Sequence, residues 1–169
     1  VSSLSALTIA ACGVKVAKHG NRSVSSTCGS ADLFERLGVN ISAPIKTVER
    51  CLADVGIAFF FAPTFHPSMR HAAPTRRDLG IRTAFNLLGP LTNPAKAQRQ
   101  IVGVARPEHT DLLARALEQL GSKRAWVVHG ADGLDEISIT GHTKVSELSD
   151  GKFRTFYVHP TDFGLPTTS

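Results

Sequence analysis

Short apolar segments alternate with segments of helical periodicity along most of this sequence. Ile57–Ala62 is apolar at every position and follows Gly56, and Ala125–His129 is a second run that is mostly apolar. Such runs are typical of strands that are covered on both faces, as in a parallel sheet. Between them, Glu108–Leu120 has apolar residues at helical spacing and is followed by Gly121. This alternation predicts an α/β fold with a mainly parallel sheet covered by helices.

The end of the sequence departs from this alternation. Lys144–Leu148 and Lys152–Val158 have the length of strands but are more polar, and Asp150-Gly151 between them is a hairpin turn signal. We therefore predict an antiparallel hairpin at one side of the sheet. The length of 169 residues falls within the usual size of one domain, so we expect residues 1–169 to form a single α/β domain.

The charge and the cysteine content indicate which kinds of partner and which cellular compartment the sequence favours. The net charge is +5, but the basic residues are dispersed and no run of five like charges occurs, which argues against a nucleic-acid-binding tail. The three cysteines form neither a CxxC pair nor a disulfide framework, which favours a reducing compartment. No apolar run reaches the roughly 18 residues of a membrane span. We expect a cytoplasmic protein without a nucleic-acid or membrane partner.

The first polar segment that could carry chemistry follows a short strand candidate, Val14–Ala17. Lys18–Ser26 contains two cations, an amide, three hydroxyls and a glycine that lets a ligand approach the backbone. The segment leads to Ser30 at the predicted start of a helix, where free N–H groups favour an anion. A phosphate site and a solvated loop with Ser30 as a simple N-cap both fit these residues.

The second segment, His129–Glu136, follows an apolar strand candidate and contains three carboxylates and two glycines. Asp135 and Glu136 are adjacent, and Mg²⁺ is usually bound by one or two carboxylates together with substrate phosphates. The spacing is not that of an EF-hand. Both a magnesium site and an ordinary hydrophilic turn are consistent with these residues.

The third segment, Pro63–Asn93, is cationic and rich in proline. One of its arginines would suit a substrate carboxylate, because a guanidinium presents a planar fork of donors. The alternative is that these arginines are solvated charges on helix faces, and that His66, which precedes Pro67, only caps a helix. The usual spacing of zinc ligands and the motifs GxSxG, GxGxxG, HExxH and Walker A are all missing from the sequence.

These segments resemble the anthranilate phosphoribosyltransferase family, and the resemblance covers essentially the whole chain in order. The strings that carry it are VKVAKHGNRSVSS (Val14–Ser26), GSAD (Gly29–Asp32), LGVNI (Leu37–Ile41), FFAPTFHPSMRHAAPTRRDLGIRTAFNLLGPLTNPA (Phe60–Ala95) and HGADGLDE (His129–Glu136). KHGNRSVSS together with LGIRTAFNLLGPLTNP is specific, whereas each string alone would be weaker.

The resemblance implies an enzyme of tryptophan biosynthesis. The family transfers phosphoribose from phosphoribosyl pyrophosphate (PRPP) to the amine of anthranilate and releases pyrophosphate, with Mg²⁺ as cofactor. Its fold combines a small helical domain with a larger α/β domain, usually in a homodimer. This chain would then be the central part of the large phosphoribosyltransferase domain.

The resemblance also assigns residues by position. Ser2 and Ser3 match the end of the family's Asn-x-Ser-Thr motif, with Ser3 in place of Thr. The residues implied to bind PRPP are Ser2, Ser3, Lys18, His19, Gly20, Asn21, Arg22, Ser23, Ser25, Ser26 and Ser30. Those implied to bind anthranilate are Asn21, Arg76, His19, His66 and Pro90, with Arg76 facing the carboxylate. Those implied to bind Mg²⁺ are Ser2, Asp135 and Glu136. No residue is singled out as a nucleophile.

Parts of the family pattern are missing from the sequence. The Gly-Thr-Gly-Gly-Asp loop, the Asn of Asn-x-Ser-Thr, the N-terminal helical domain and the C-terminal part of the α/β domain are not among these residues. We therefore expect residues 1–169 to be a fragment that is inactive or nearly so on its own. Two other functions stay open: a non-catalytic nucleic-acid-binding relative of the same fold, and a phosphorylase-type transferase acting on a nucleobase.

Overall fold

The computed structural model describes residues 2–22, 28–81 and 83–168, and of Arg76 and Arg77 it describes the backbone only. Ser23, Ser25 and Ser26, three residues of the predicted phosphate loop, therefore lie outside the described residues. The chain forms two compact units. The first comprises Val1–Gly89 and Asn93–Ala95, and the second comprises Pro90–Thr92 and Lys96–Ser169.

The first unit is built on a parallel pair of strands. Its helices and strands are α1 (Ser2–Ala11), β1 (Val16–Gly20), α2 (Ser30–Arg36), α3 (Ile45–Asp54), β2 (Ile57–Phe61), α4 (Ala62–Phe65), α5 (Ala73–Leu79) and α6 (Ala84–Leu88). The 3-10 helix Pro67–His71 lies between α4 and α5. In the parallel pair, Lys18 is opposite Phe59 and Gly20 is opposite Phe61.

Each face of this two-stranded sheet has its own apolar cluster. On one face, Phe59 packs with a cluster from α2 and its neighbourhood that includes Phe34. On the other face, Phe60 packs with Val48 of α3. Because consecutive strand residues point to opposite faces, Lys18 and His19 of β1 are directed to different sides of the sheet.

The second unit is a sheet of four strands with one long helix on it. Its elements are β3 (Arg99–Gly103), α7 (His109–Gln119), β4 (Arg124–Gly130), β5 (Thr143–Ser149) and β6 (Lys152–Val158), followed by the 3-10 helix Pro160–Phe163. The strand order is β3-β4-β5-β6, in which β3 and β4 are parallel and the other two pairs are antiparallel. Another 3-10 turn spans Gly89–Leu91.

The core of the second unit lies between α7 and the sheet. Leu113 and Leu117 are buried on the face of α7 that contacts β4 and β5, and Val127 and Leu148 are buried on the strands. Leu112, which helical spacing also predicts to face inward, is 56% exposed. The buried stripe of α7 is therefore narrower than the apolar pattern of its sequence.

The predicted α/β class is confirmed, with both parallel and antiparallel pairing. The predicted hairpin is confirmed between β5 and β6, where Asp150 and Gly151 have φ angles of 49° and 77°. Positive φ at both central residues is the geometry that a two-residue hairpin turn needs. Among the described helices, none combines the length and the apolar character needed to cross a membrane.

Candidate active site

The carboxyl end of β1 is closed by Gly20, and Ser30 at the start of α2 lies against it. A Cβ atom on Gly20 would lie 2.2 Å from Ser30 Oγ and 3.1 Å from the Phe59 ring. A glycine is therefore required here for the serine hydroxyl to approach the strand. Lys18 lies two residues earlier and points to the same face of β1. A cation and a hydroxyl thus lie on one face at the end of β1.

Lys18, His19 and Gly20 belong to β1, although the sequence pattern places them in the loop after a strand at Val14–Ala17. The strand begins and ends later because its pairing with β2 continues to Gly20 opposite Phe61. Asn21 is therefore the first residue beyond the strand. Its backbone carbonyl accepts a hydrogen bond from the Ala31 amide at 3.3 Å, which joins the end of β1 to the start of α2.

Arg22 lies against two carboxylates of α2. Its Nη1 and Nη2 atoms donate to the two carboxylate oxygens of Glu35 at 2.8 and 2.9 Å, and Nη1 also donates to Asp32 Oδ1 at 3.2 Å. The hydrogen bonds that Arg22 donates to Glu35 lower the pKa of Glu35 and raise the pKa of Arg22. The guanidinium also stands 5.9 Å from the centroid of the Phe61 ring.

His19 and His66 form an edge-to-face pair, with ring centroids 5.2 Å apart and an angle of 75° between the rings. The Nε2 atoms of both rings are buried and find no hydrogen-bond partner among the described residues. Burial lowers the pKa of His19 to about 4, and the neighbouring His66 and Lys18 contribute to the same shift. His19 is therefore neutral at neutral pH.

The other residues assigned to anthranilate lie elsewhere in the chain. Arg76 is on α5 of the first unit, and the structure describes its backbone but not its side chain. Pro90 belongs to the second unit, in the 3-10 turn Gly89–Leu91. Ser2 and Ser3 open α1, where Ser2 is exposed and Ser3 is buried.

In the second unit, Asp132 organises the turn that carries the adjacent carboxylates. It accepts hydrogen bonds from Ser138 Oγ at 2.5 Å, Thr140 Oγ1 at 2.8 Å and the Leu134 amide at 3.1 Å. These bonds, that from Ser138 foremost, lower the pKa of Asp132. The acceptor capacity of Asp132 is thus used within the turn itself.

Asp135 and Glu136 are the two adjacent carboxylates of this turn. Asp135 is exposed and Glu136 is half-buried. The Asp135 backbone lies on β3, because a Cβ atom on Gly103 would be only 1.6 Å from the Asp135 carbonyl oxygen. Two adjacent carboxylates on a fixed backbone suit Mg²⁺, which takes its remaining ligands from water and substrate phosphates. Over residues 2–22, 28–81 and 83–168, no group of three His, Cys, Asp or Glu side chains is arranged to hold a metal alone.

The structure thus brings several predicted residues together within each unit. Lys18, Gly20, Asn21 and Ser30 surround the end of β1, and His19 pairs with His66. Sequence reasoning missed the partners of Arg22, which are Asp32 and Glu35, and the roles of Gly103 and Asp132. The spacing of Asp32 and Glu35 on one helix face was the available signal for the former. Nothing in the sequence indicated that Gly103 lies under Asp135.

An α/β fold with a cation and a hydroxyl at a strand end suits a phosphorylated ligand. Comparison with known families identifies the class of protein. Residues 1–169 match the family described as "Glycosyl transferase family, a/b domain", so the chain belongs to that family.

Individual relatives of the chain within this family are anthranilate phosphoribosyltransferases. The anthranilate phosphoribosyltransferase of Moorella thermoacetica is 57% identical over 166 residues, which are 98% of this chain and 49% of that protein. The crystal structure of anthranilate phosphoribosyltransferase from Thermus thermophilus matches with a TM-score of 0.92 at 50% identity and covers 99% of this chain and 49% of that one. Anthranilate phosphoribosyltransferase from Saccharomyces cerevisiae in complex with PRPP and Mg matches with a TM-score of 0.85 at 34% identity and covers 99% of this chain and 47% of that one. The chain spans about half the length of the curated relatives it matches.

Proposed function

We propose that this protein is part of a cytoplasmic anthranilate phosphoribosyltransferase of tryptophan biosynthesis, which transfers phosphoribose from PRPP to the amine of anthranilate and releases pyrophosphate. The observation that carries the proposal is the grouping of Lys18, Asn21 and Ser30 around Gly20, in a chain whose relatives have this name. The complete enzyme would be a homodimer, as the resemblance implies.

In this proposal the end of β1 binds PRPP. Lys18 supplies a positive charge, the Ser30 hydroxyl and the Asn21 amide supply hydrogen bonds, and Gly20 leaves room for the Ser30 hydroxyl at the end of the strand. Ser2, Ser3, Ser23, Ser25 and Ser26 join this set on the strength of the resemblance alone. Hydrogen bonds to charged phosphate oxygens are shorter and stronger than bonds between neutral groups, so a few such donors give useful affinity.

Asp135 and Glu136 would hold Mg²⁺, and Ser2 is assigned to the ion by the resemblance alone. When bound, the ion would neutralise the charge that develops on the leaving pyrophosphate. The residues fit this role because Asp132 accepts the hydrogen bonds that organise the turn, while the adjacent pair supplies carboxylate oxygens of the kind that Mg²⁺ prefers. The close contact between Gly103 and Asp135 fixes the backbone that carries them.

Anthranilate would bind beside the histidine pair, with Arg76 facing its carboxylate. His19 and His66 present flat, largely buried rings and two buried nitrogens without partners among the described residues. A neutral imidazole suits an aromatic ligand that has an N–H donor. Asn21 and Pro90 complete the set that the resemblance implies.

The chemistry asks for little acid or base catalysis. Breaking the bond between C1 and pyrophosphate leaves positive charge on the ribose and negative charge on the leaving group, and fixed cations such as Lys18 stabilise the latter. The amine of anthranilate is unprotonated at neutral pH. Rate enhancement would therefore come from positioning and electrostatics rather than from a nucleophilic residue.

Calorimetric titration of the intact gene product with anthranilate and with PRPP and Mg²⁺ tests this function. Arg76→Ala should weaken anthranilate binding about 10- to 100-fold, as expected for the loss of hydrogen bonds to a charged group, and should leave PRPP affinity nearly unchanged. Asp135→Asn should weaken PRPP binding only when Mg²⁺ is present. Arg77→Ala, one position away on the same helix, is the control for Arg76. If the wild-type protein binds neither substrate, the proposed function is wrong; if only Arg76→Ala is without effect, the role of Arg76 is wrong.

A further inference from the structure

The geometry around Arg22 points to a role other than phosphate binding. We propose that Arg22 is a positioning residue, which holds Asn21 beside the start of α2 by binding Glu35 and Asp32 and does not itself contact PRPP. The inference rests on the proposed function, because it concerns the site at the end of β1. It differs from the assignment by resemblance, in which Arg22 belongs to the PRPP-binding set.

Both terminal nitrogens of Arg22 already donate to carboxylates of α2. Both Nη atoms donate to Glu35 in the fork-to-fork arrangement that gives arginine and carboxylate pairs their specificity, with distances of 2.8 and 2.9 Å. Nη1 also donates to Asp32 at 3.2 Å. The Phe61 ring of β2 lies 5.9 Å from the guanidinium carbon. Three side chains therefore fix the position of this cation.

The backbone around Arg22 is fixed by the same region. The Arg22 amide donates to Asn21 Oδ1 at 2.8 Å, and the Asn21 carbonyl accepts from the Ala31 amide at 3.3 Å. The ion pair with Glu35 and the backbone bond to Ala31 both close the chain between β1 and α2. Fixing Asn21 and the start of α2 relative to each other in advance lowers the ordering cost that a ligand would otherwise have to meet on binding.

Electrostatic repulsion also favours the contact of Arg22 with Asp32 and Glu35 over a contact with phosphate. If the guanidinium moved to a phosphate, Asp32 and Glu35 would lose their shared cation and stand as two carboxylates on α2, close to a ligand with several negative charges. Like charges at short distance repel each other. With Arg22 in place, its charge offsets theirs and the ligand meets Lys18 instead.

The sign of one substitution separates the two roles. If Arg22 were a phosphate ligand, Glu35→Gln would release it and remove a negative charge, so PRPP would bind more tightly. If Arg22 is a positioning residue, Glu35→Gln should weaken PRPP binding about two- to five-fold, as expected for loss of an exposed ion pair. The titration uses the intact gene product with PRPP and Mg²⁺ at about 0.5 M salt, which screens long-range charge effects. Glu49→Gln on α3 is the matched control for charge and should leave PRPP affinity unchanged.

Arg22 variants give a second comparison. Arg22→Lys keeps the charge but loses the fork, so it should lose as much PRPP affinity as Arg22→Gln. A residue that bound phosphate would keep more affinity as lysine than as glutamine, because lysine binds phosphate as a point charge. The double variant Arg22→Gln with Glu35→Gln should be no worse than Arg22→Gln alone, because both changes break one contact. Tighter binding by Glu35→Gln, full affinity in Arg22→Lys, or full affinity in Arg22→Gln would each overturn the proposal.

A ligand-free measurement keeps this inference separate from the proposed function. Hydrogen exchange at the Ala31 amide, followed by NMR, should be several-fold faster in Arg22→Gln and in Glu35→Gln than in the wild type. Both variants lose the ion pair between Arg22 and Glu35, which lies beside the hydrogen bond of this amide. Unchanged exchange in both variants would overturn the positioning role even in a protein that binds PRPP. If the wild type fails to bind PRPP, the proposed function is wrong, while faster exchange at Ala31 in the two variants still supports the positioning role of Arg22.

Discussion

The carbonyl oxygen of Asp135 occupies the place that a side chain at position 103 would need. A Cβ atom on Gly103 would lie 1.6 Å from that oxygen and 2.5 Å from the carbonyl carbon. Both are backbone atoms, so no side-chain rotation can relieve the overlap. The last residue of β3 therefore decides where Asp135 and Glu136 are held.

Gly103→Ala should displace the Asp135 backbone and weaken the proposed Mg²⁺ site. We expect a loss of stability of about 1–3 kcal/mol, the usual cost of forcing extra volume into a packed position. The Mg²⁺-dependent part of PRPP affinity should fall as well, because the two carboxylates move with the backbone. Urea unfolding and calorimetry with and without Mg²⁺ measure the two effects.

Gly141→Ala is the matched control in the same unit. A Cβ atom there would meet only Ala131 Cβ, at the ordinary contact distance of 3.8 Å. This variant should keep the stability and the Mg²⁺ response of the wild type. If Gly103→Ala behaves like Gly141→Ala, the close contact with Asp135 does not hold the carboxylates in place.

Gly20→Ala should disturb the end of β1 in the first unit. The added methyl would lie 2.2 Å from Ser30 Oγ and 3.1 Å from the Phe59 ring, so these side chains must shift. We expect a loss of stability of about 1–3 kcal/mol and weaker PRPP binding. Thermal or urea unfolding and a PRPP titration measure these.

A rescue variant tests the cause of that effect. Because the nearest atom is the hydroxyl of Ser30, adding Ser30→Ala to Gly20→Ala should restore part of the lost stability without restoring PRPP affinity. Equal stability of the single and double variants would show that Ser30 is not the source of the strain. Gly89→Ala, where a Cβ atom would meet nothing within 4 Å, is the control for alanine in place of glycine in this unit.

The elements that sequence alone predicts well are those set by local pattern. The apolar run at Ile57 predicts β2, whose three central residues are buried, and Asp150-Gly151 predicts the hairpin turn through its own backbone preference. The predicted position of strand β1 is too early because Lys18, His19 and Gly20 have the composition of a loop. Pairing with β2 decides their conformation, and this pairing is not visible in the local sequence.

The parts of the site that sequence could not predict depend on contacts between distant residues. The neighbouring sequence does not explain the glycine at position 103, because the atom that excludes a side chain there is the carbonyl oxygen of Asp135. Likewise, the sequence shows Arg22 as one cation among others, and only the folded chain shows Glu35 and Asp32 around it. Motifs thus predict the kind of ligand, whereas the contacts between these distant residues are seen only in the folded chain.

Asp132 should stabilise the turn before β5 only while it is ionised. The bonds from Ser138, Thr140 and Leu134 lower its pKa below the ordinary value of 3.8, so its contribution is present above that pH and is lost as the pH falls through the lowered value. Asp132→Ala should therefore lower the free energy of unfolding at pH 7 and flatten its acid dependence. Urea unfolding from pH 7 to pH 3 measures both. A variant with the same acid dependence as the wild type would show that Asp132 does not make this contribution.

His19 should make stability depend on pH in a different window. Its pKa is about 4 in the folded chain and has an ordinary value of 6.5, so between these values the unfolded chain binds more protons than the folded one. The free energy of unfolding should therefore fall as the pH is lowered from 6.5 toward 4, and His19 should add no pH dependence above about pH 7. His19→Gln, which does not titrate, should lose less stability than the wild type over the same range, while the two curves run parallel from pH 7 to 8. Urea unfolding of the two proteins at half-unit intervals measures the difference, and parallel curves between pH 4 and 6.5 would show that burial beside His66 and Lys18 does not keep His19 neutral.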